Sequence, residues 1–295
     1  MKASTTSPMN RKTGFDIFLL VLFAGVMVMT VYPFLNVLAI SLNDSIDTVK
    51  NINFIIPRKF TWSNYVYIFK ENDIFTPAFM SVARTLVGTL ISLVLTSMLA
   101  FVLSRKDFVF RRSFTLLFVI TMYVGGGLIP EYLLIKRTLG LGNSFLVYIL
   151  PSLVWVYNVI LVRSYIDGLP DALQEAAIID GANDFQIWYK VVFPLCTAVN
   201  ATVALFYAVG QWNSFMDTFL YAKNLPTLQY KLYEIMEQAT LKVDNHSTTT
   251  TMTRTVTPLS VRMAVTVIAT VPILVVYPFL QKYFVGGMTL GAVKG

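Results

Sequence analysis

Few residues in this chain of 295 can do chemistry, and their types exclude more than they permit. There is one histidine, His246, and one cysteine, Cys196, so a histidine-rich metal site and an internal disulfide are ruled out and a Cys/His zinc site lacks ligands. The glycines Gly125, Gly126 and Gly127 do not form a phosphate loop. No Gly-x-x-x-x-Gly-Lys-[Ser/Thr] stands anywhere, so the chain is not equipped to bind and split ATP. His-Glu-x-x-His and Gly-x-Ser-x-Gly are also missing. No catalytic residue, metal or cofactor is therefore assigned to the chain. What remains is polar and aromatic chemistry inside apolar runs: Arg84, Tyr157, Asn158, Asn200, Gln211, Trp212, Asn213 and Asp217. Amides and flat aromatic faces can line a path for a polar solute. They can equally hydrogen-bond between helices, at about 1 kcal/mol each, or serve as packing anchors. Arg84 lies near the end of its apolar run, where a long cation is expected to snorkel to the headgroups.

The elements that carry these residues are set by composition. Hydrophobic residues make up 56% of the chain and charged residues 13%, against about 25% in soluble domains. Mean hydropathy is +0.64. Lipid must cover much of this apolar surface. The net charge of +7 does not point to nucleic acid, because the basic residues punctuate apolar segments rather than forming a stripe. A membrane helix needs roughly 20 mostly apolar residues. Six segments qualify or nearly do: Ile17 to Ile40, Val82 to Leu103, Phe114 to Leu134, Phe145 to Val162, Leu195 to Leu220 and Leu259 to Phe284. The first reads as a retained span rather than a cleaved signal peptide. The third is interrupted by its glycines and Pro130.

Orientation follows from the basic loops. Arg105, Lys106, Arg111 and Arg112 crowd the short connection from Ser104 to Ser113, and Lys2, Arg11 and Lys12 precede the first span; both belong on the cytoplasmic side. Six spans then place both termini inside. Lys136 and Arg137 fall in a short loop on the other side and oppose this assignment. Three connections are too long for turns. Ser41 to Ala78 is outside and holds Phe54, Pro57, Phe60, Thr61, Trp62 and Tyr65. Tyr221 to Pro258 is also outside, with an amphipathic stretch from Leu228 to Ala239 and a threonine run from Thr248 to Thr251.

The third long connection, Arg163 to Pro194, is cytoplasmic. Pro170 suits a first helical position and Asp171 the positive end of a helix dipole. Gly181 suits the left-handed residue that closes a helix. Asn183 and Gln186 are spaced as a capping box that opens a second helix. Leu173, Ala176, Ala177 and Asp180 fall on one helical face, and Phe185, Trp188, Tyr189 and Val192 on another. The two alanines allow close backbone approach. Between Arg163 and Phe193 there are five acidic and two basic residues, a balance suited to docking on a protein with basic groups.

Within that segment Glu175-Ala176-Ala177, then Asp180-Gly181-Ala182, then Pro194 resembles the EAA loop of permease subunits of ATP-binding-cassette importers. The resemblance implies that Glu175, Ala176, Ala177, Asp180, Gly181 and Pro194 belong to a coupling helix that docks into a groove on a cytoplasmic ATPase. Pro57 through Tyr65, Gly126-Gly127-Leu128-Ile129-Pro130, Phe206 through Ser214, and the ending Gly286 through Gly295 are similar to the maltose-type carbohydrate permeases, closest to the branch that imports complex oligosaccharides. The closing Gly291-Ala292-Val293-Lys294-Gly295 resembles the tail that reaches between the ATPase subunits; a frayed chain end is the alternative.

The expectation is an all-α polytopic membrane protein with the fold of a type I importer permease. Residues 1–16 form a cytoplasmic segment, 17–284 the transmembrane domain with its coupling loop at 163–194, and 285–295 a cytoplasmic tail. The resemblance implies a second homologous permease, a dimer of ATPase subunits that bind ATP and Mg, an extracellular solute-binding protein and an oligosaccharide cargo, in a bacterial cytoplasmic membrane. Tyr157, Asn158, Gln211, Trp212 and Asn213 are the candidate path residues. A stand-alone secondary transporter or channel is the alternative. It would use acids deep in a span or an internal repeat, and neither is evident. An intramembrane enzyme lacks a nucleophile-base or metal constellation.

Overall fold

Long apolar helices, three unbroken and three bent, carry the architecture, as the composition requires. The computed structural model describes residues 14–51, 55–71, 73–244 and 256–292. His246, Thr248 to Thr251, Lys2, Arg11, Lys12, Phe54 and Val293 to Gly295 lie outside them. In chain order the α-helices are α1 (Gly14–Ser41), α2 (Ser45–Lys50), α3 (Ser63–Glu71), α4 (Phe75–Ser104), α5 (Arg111–Tyr123), α6 (Leu128–Leu133), α7 (Val156–Ile166), α8 (Asp171–Ile179), α9 (Asp184–Gln186), α10 (Phe193–Leu195), α11 (Thr197–Asn213), α12 (Met216–Tyr221), α13 (Leu228–Asp244) and α14 (Pro258–Ala292). A wide π-turn, Leu134–Thr138, extends α6. A second, Ile187–Val192, joins α9 to α10, and 3-10 turns at Phe145–Tyr148 and Leu150–Ser152 lead into α7. Among the described residues the only β pairing is an isolated antiparallel bridge, Asn43 to Phe60.

Three helices are long and apolar enough to cross a bilayer unbroken: Gly14–Ser41, Phe75–Ser104 and Pro258–Val276. Three further spans arise only if each bent pair counts as one. The third expected span is α5 followed by α6 and its π-turn, with a 111° bend at the glycines. Gly127 has φ +83°, a conformation that a side chain would oppose. The fourth turns by 52° after Pro151, and the fifth by 86° between the turn containing Pro194 and α11. Pro194 therefore stands at a corner inside the bent pair that makes the fifth span.

The chain divides into two units. One holds α1, α2 and nearly all of α3, with 238–267. Its extramembrane part is knitted by buried asparagines. Asn64 Nδ2 donates to the Ser41 and Asn43 carbonyls (2.8 and 3.0 Å), Ser45 Oγ donates to Asn64 Oδ1 (2.8 Å), and Asn43 Oδ1 accepts the Lys59 N–H (2.7 Å). A loop of this kind keeps its shape by satisfying its own backbone. The other unit, 71–237 with 268–295, has its core where α4, α7, α11 and the Ile187–Val192 turn meet. Phe101, Val162, Trp188, Val192, Val203 and Tyr207 are buried there. Tyr207 Oη bonds to Thr96 Oγ1 (2.7 Å) and accepts the Trp155 N–H (2.9 Å), which satisfies its hydroxyl inside the bundle. Gly210 lets the ring of Trp155 lie against α11: a Cβ there would stand 2.5 Å from that ring.

Candidate functional site: a coupling segment and a buried polar cluster

The segment 163–194 folds as two helices joined at a glycine. α8 ends at Ile179 with Asp180 as its C-cap, and Gly181 follows at φ +81°, where a side chain is costly. Its N–H bonds to the Ile178 carbonyl (2.9 Å) and that of Ala182 to Ala177 (3.0 Å), closing the helix end. Pro170 sits one place earlier than a first helical position, as the N-cap, and α8 begins at Asp171. Asn183 and Gln186 form the reciprocal capping box: Asn183 Oδ1 accepts the Gln186 N–H (2.9 Å), and Gln186 Oε1 accepts the Asn183 N–H (3.0 Å).

No residue of α8 is buried. Glu175, Ala176 and Asp180 are exposed, Leu173 is 41% exposed, and Ala177 alone leans on the core. The aromatic residues stay together, with the ring of Trp188 5.4 Å from that of Phe185 and 6.2 Å from that of Tyr189, but they are not equally buried. The π-turn changes the register after Gln186, so Trp188 and Val192 enter the core while Phe185 and Tyr189 stay about 60% exposed (61% and 60%).

Most of the acidity of this segment is answered within the chain. Lys106 Nζ donates to Asp171 Oδ2 (2.6 Å). Arg105 reaches Asp184 (3.4 Å) and Gln174 Oε1 (3.4 Å), so one guanidinium ties α8 to α9. Arg111 and Arg163 both approach Asp167 (3.5 Å each). The Lys106 ammonium is held above its ordinary value, first by its hydrogen bond to Asp171 and then by that carboxylate's charge. It stays charged at neutral pH, and the contact weakens only as pH rises past the lysine range. Asp107 is held below the usual carboxylate value, chiefly by its hydrogen bond from Arg105. Among the described residues Glu175 and Asp180 make no ion pair, and they are the acids left facing outward. The basic loop read for topology is thus also a brace. Its signal in the sequence was the charge complementarity of two connections placed on one side of the membrane.

A second cluster lies between α4, α11 and α12. Arg84 does not snorkel: it is 2% exposed. Its guanidinium pairs with both carboxylate oxygens of Asp217, its Nε and Nη2 donate to Gln211 Oε1 (3.0 and 2.9 Å), and it stacks on Tyr148 at 4.4 Å. Gln211 Nε2 donates in turn to the Tyr148 carbonyl (3.1 Å) and Ser152 Oγ (2.8 Å). Arg84 turns inward where α12 breaks away from α11 at Ser214 and brings Asp217 within hydrogen-bond reach. The cluster lines a cavity of about 350 Å3 with Glu131 and Trp155 on its wall.

The five path candidates do not converge. Gln211 lines this cavity. Asn158 is buried in α7 and both its amide atoms lack a partner. Trp212 is half-buried and donates to the Ala269 carbonyl (3.2 Å), while Tyr157 and Asn213 are exposed. Tyr148, Ser152, Trp155 and Glu131 escaped sequence reading because only the bends at Gly127 and Pro151 bring them beside Arg84.

Comparison with known proteins decides the family. The chain is 36% identical over 279 residues to the polygalacturonan/rhamnogalacturonan transport system permease protein YtcP of Bacillus subtilis, covering 94% of this chain and 96% of that one. The chain is a carbohydrate permease of the ATP-binding-cassette family. Protein LplC of the same organism is 36% identical over 290 residues, covering 97% of each chain. The crystal structure of a bacterial ABC transporter involved in import of the acidic polysaccharide alginate contains a chain that superposes on this permease with a TM-score of 0.79 at 26% identity, covering 95% of this chain and all of that one. No family model matches. The expected all-α, multi-pass permease fold is the one observed, and this permease is a transport component rather than an enzyme.

Proposed function

We propose that this permease is one of two membrane subunits of an oligosaccharide importer and that α8 is its coupling helix. ATP and Mg are then bound by a pair of separate cytoplasmic ATPase subunits, and cargo arrives from an extracellular binding protein. The observation that carries the reading is α8 itself: a short helix with no buried residue, braced from behind by Arg105 and Lys106, with Glu175, Ala176 and Asp180 turned outward. A braced exposed helix suits docking on another protein, because force applied to it is passed to α4 and α7 rather than lost in loop motion. Gly181 and Pro194 set the two corners that connect α8 to α11. The reading places both termini and 163–194 in the cytoplasm, with 17–284 as the membrane domain and 285–295 as a tail toward the ATPases.

Relatives that carry polygalacturonan or rhamnogalacturonan, arabinooligosaccharides and alginate support an oligosaccharide cargo. The cavity beside Arg84 supports a path wall on this subunit. It combines a flat aromatic face, Trp155, with the carboxylates of Glu131 and Asp217, which can accept hydrogen bonds from sugar hydroxyls, while Gln211 is held by Arg84, Tyr148 and Ser152. Tyr157, Asn158, Trp212 and Asn213 do not line this cavity and are assigned to the path for their polar or flat aromatic side chains alone, Asn158 with an unpartnered amide. Proteoliposomes holding this chain, the second permease, the ATPase pair and the binding protein should take up labelled oligogalacturonides or arabinooligosaccharides only with ATP inside. Uptake that persists without the ATPase would favour the stand-alone transporter.

A further inference from the structure

Lys106 does more than brace α8. Lys106, Arg111, Arg112 and Arg163 stand around the rim of an open cavity of about 550 Å3, and its wall includes Val109 and Leu116. Two carboxylates, Asp171 and Asp167, answer part of this charge. Glu175 also acts on Lys106 at longer range, and the rim keeps a net positive charge. Arg112 is exposed and has no ion pair among the described residues. The contact of Arg111 with Asp167 is loose at 3.5 Å and leaves guanidinium N–H groups free for a further anion.

The apolar half of the cavity has a direction. Arg111 opens α5, and Leu116 and Val119 follow along the same helix, roughly 7 and 12 Å further on at about 1.5 Å per residue. No residue of α5 is fully buried, although Phe118 packs partly against the core; Leu116 is 60% and Val109 89% exposed. Lys106, Arg111 and Arg112 beside the start of α5, with apolar side chains continuing along that helix, match a molecule with an anionic head and a hydrocarbon tail. A free phosphate would match only the cations. An acidic protein segment would match the cations and leave the apolar wall unused.

We propose that this cavity binds an anionic phospholipid of the inner leaflet, with its phosphate held by Arg111, Arg112 and Lys106 and an acyl chain lying along Leu116 and Val119. The inner-leaflet assignment rests on the topology proposed above; the site itself does not. Guanidinium groups hold phosphate through paired charge-assisted hydrogen bonds, and basic pockets beside membrane helices select anionic headgroups. Because Arg111 and Lys106 also hold Asp167 and Asp171, the headgroup sits next to the contacts that fix the start of α8.

The test is native mass spectrometry of the assembled transporter in neutral detergent, titrated with phosphatidylglycerol, phosphatidylcholine of the same chains, or inorganic phosphate. Phosphatidylglycerol should bind in preference to phosphatidylcholine. Arg112→Gln should weaken it about five-fold, Arg112→Lys should restore most of that, and Leu116→Asn should weaken retention of the lipid. Equal binding of the two lipids overturns the proposal. So does displacement of phosphatidylglycerol by an equal concentration of phosphate, which would make the ligand a free anion. Binding to this chain alone that vanishes in the assembled transporter would show the face to be covered by a partner subunit, and overturns it too. Sidedness is read separately, by labelling Val109→Cys in intact cells: reaction with an impermeant reagent would overturn the inner-leaflet assignment and the topology together, without touching the binding result.

Discussion

Arg84 shows how a single residue can be legible in type and illegible in role. A cation in an apolar run signals either a long side chain reaching for headgroups or a paired group inside the protein. The choice turned on Asp217, which lies 133 residues away and reaches Arg84 only because the helix breaks after Asn213. Removing one member of a buried pair leaves an uncompensated charge, at a cost of about 3 to 5 kcal/mol. Asp217→Ala should therefore lower the thermal stability of the detergent-purified chain by about that much. The double variant Arg84→Met with Asp217→Ala should recover most of the loss, since no charge is then stranded. A double variant as unstable as the single one would show that the pair is not what holds α4 to α12. Gly210 makes a steric counterpart. Gly210→Ala forces a Cβ to within 2.5 Å of the Trp155 ring, and overpacking of this kind costs about 1 to 3 kcal/mol, readable as a lowered unfolding midpoint.

At the scale of elements, composition and apolar run length located the spans, and turn chemistry located the joints of the coupling segment. Gly181 takes the left-handed conformation its position asked for, and Asn183 with Gln186 forms the capping box its spacing asked for. These features are local and therefore readable. The bends are another matter. Glycines and prolines announce a break without giving its angle, so the 111° and 86° turns could not be drawn from the sequence. The π-turn at Ile187–Val192 likewise has no periodic signature, and it buries Trp188 and Val192 while leaving Phe185 and Tyr189, whose rings still touch Trp188, exposed. Arg105 is the residue that binds two of these elements together. Arg105→Ala should loosen α8 from α9, so limited proteolysis within 163–194 should accelerate several-fold. Global stability should move by no more than about 1 kcal/mol, because the Asp107 and Asp184 partners are solvent-exposed. Proteolysis at the parent rate would mean that the brace carries no weight.

For the molecule as a whole, the account is that motion on cytoplasmic ATPases reaches the membrane path through α8. The sequence carried the family because the motif Glu175-Ala176-Ala177 through Pro194 is contiguous. It carried the path poorly, since path residues converge only in three dimensions and part of the wall belongs to a partner chain in any two-subunit reading. The side of the membrane is open to direct test: a cysteine at Ala182 should escape an impermeant label added to intact cells, and strong labelling there would invert the topology. The most direct measurement of the central claim is a reconstituted transporter carrying Glu175→Ala or Gly181→Val, assayed together for assembly, substrate-stimulated ATP hydrolysis and uptake. Glu175→Ala removes an outward carboxylate that makes no ion pair within the described chain, and Gly181→Val strains the joint at φ +81°. Both variants should insert normally, and hydrolysis and uptake should fall together, roughly ten-fold or more for a lost charge-assisted contact at the docking surface. Parent levels of assembly, hydrolysis and uptake in both variants would contradict the assignment of α8 as the coupling element.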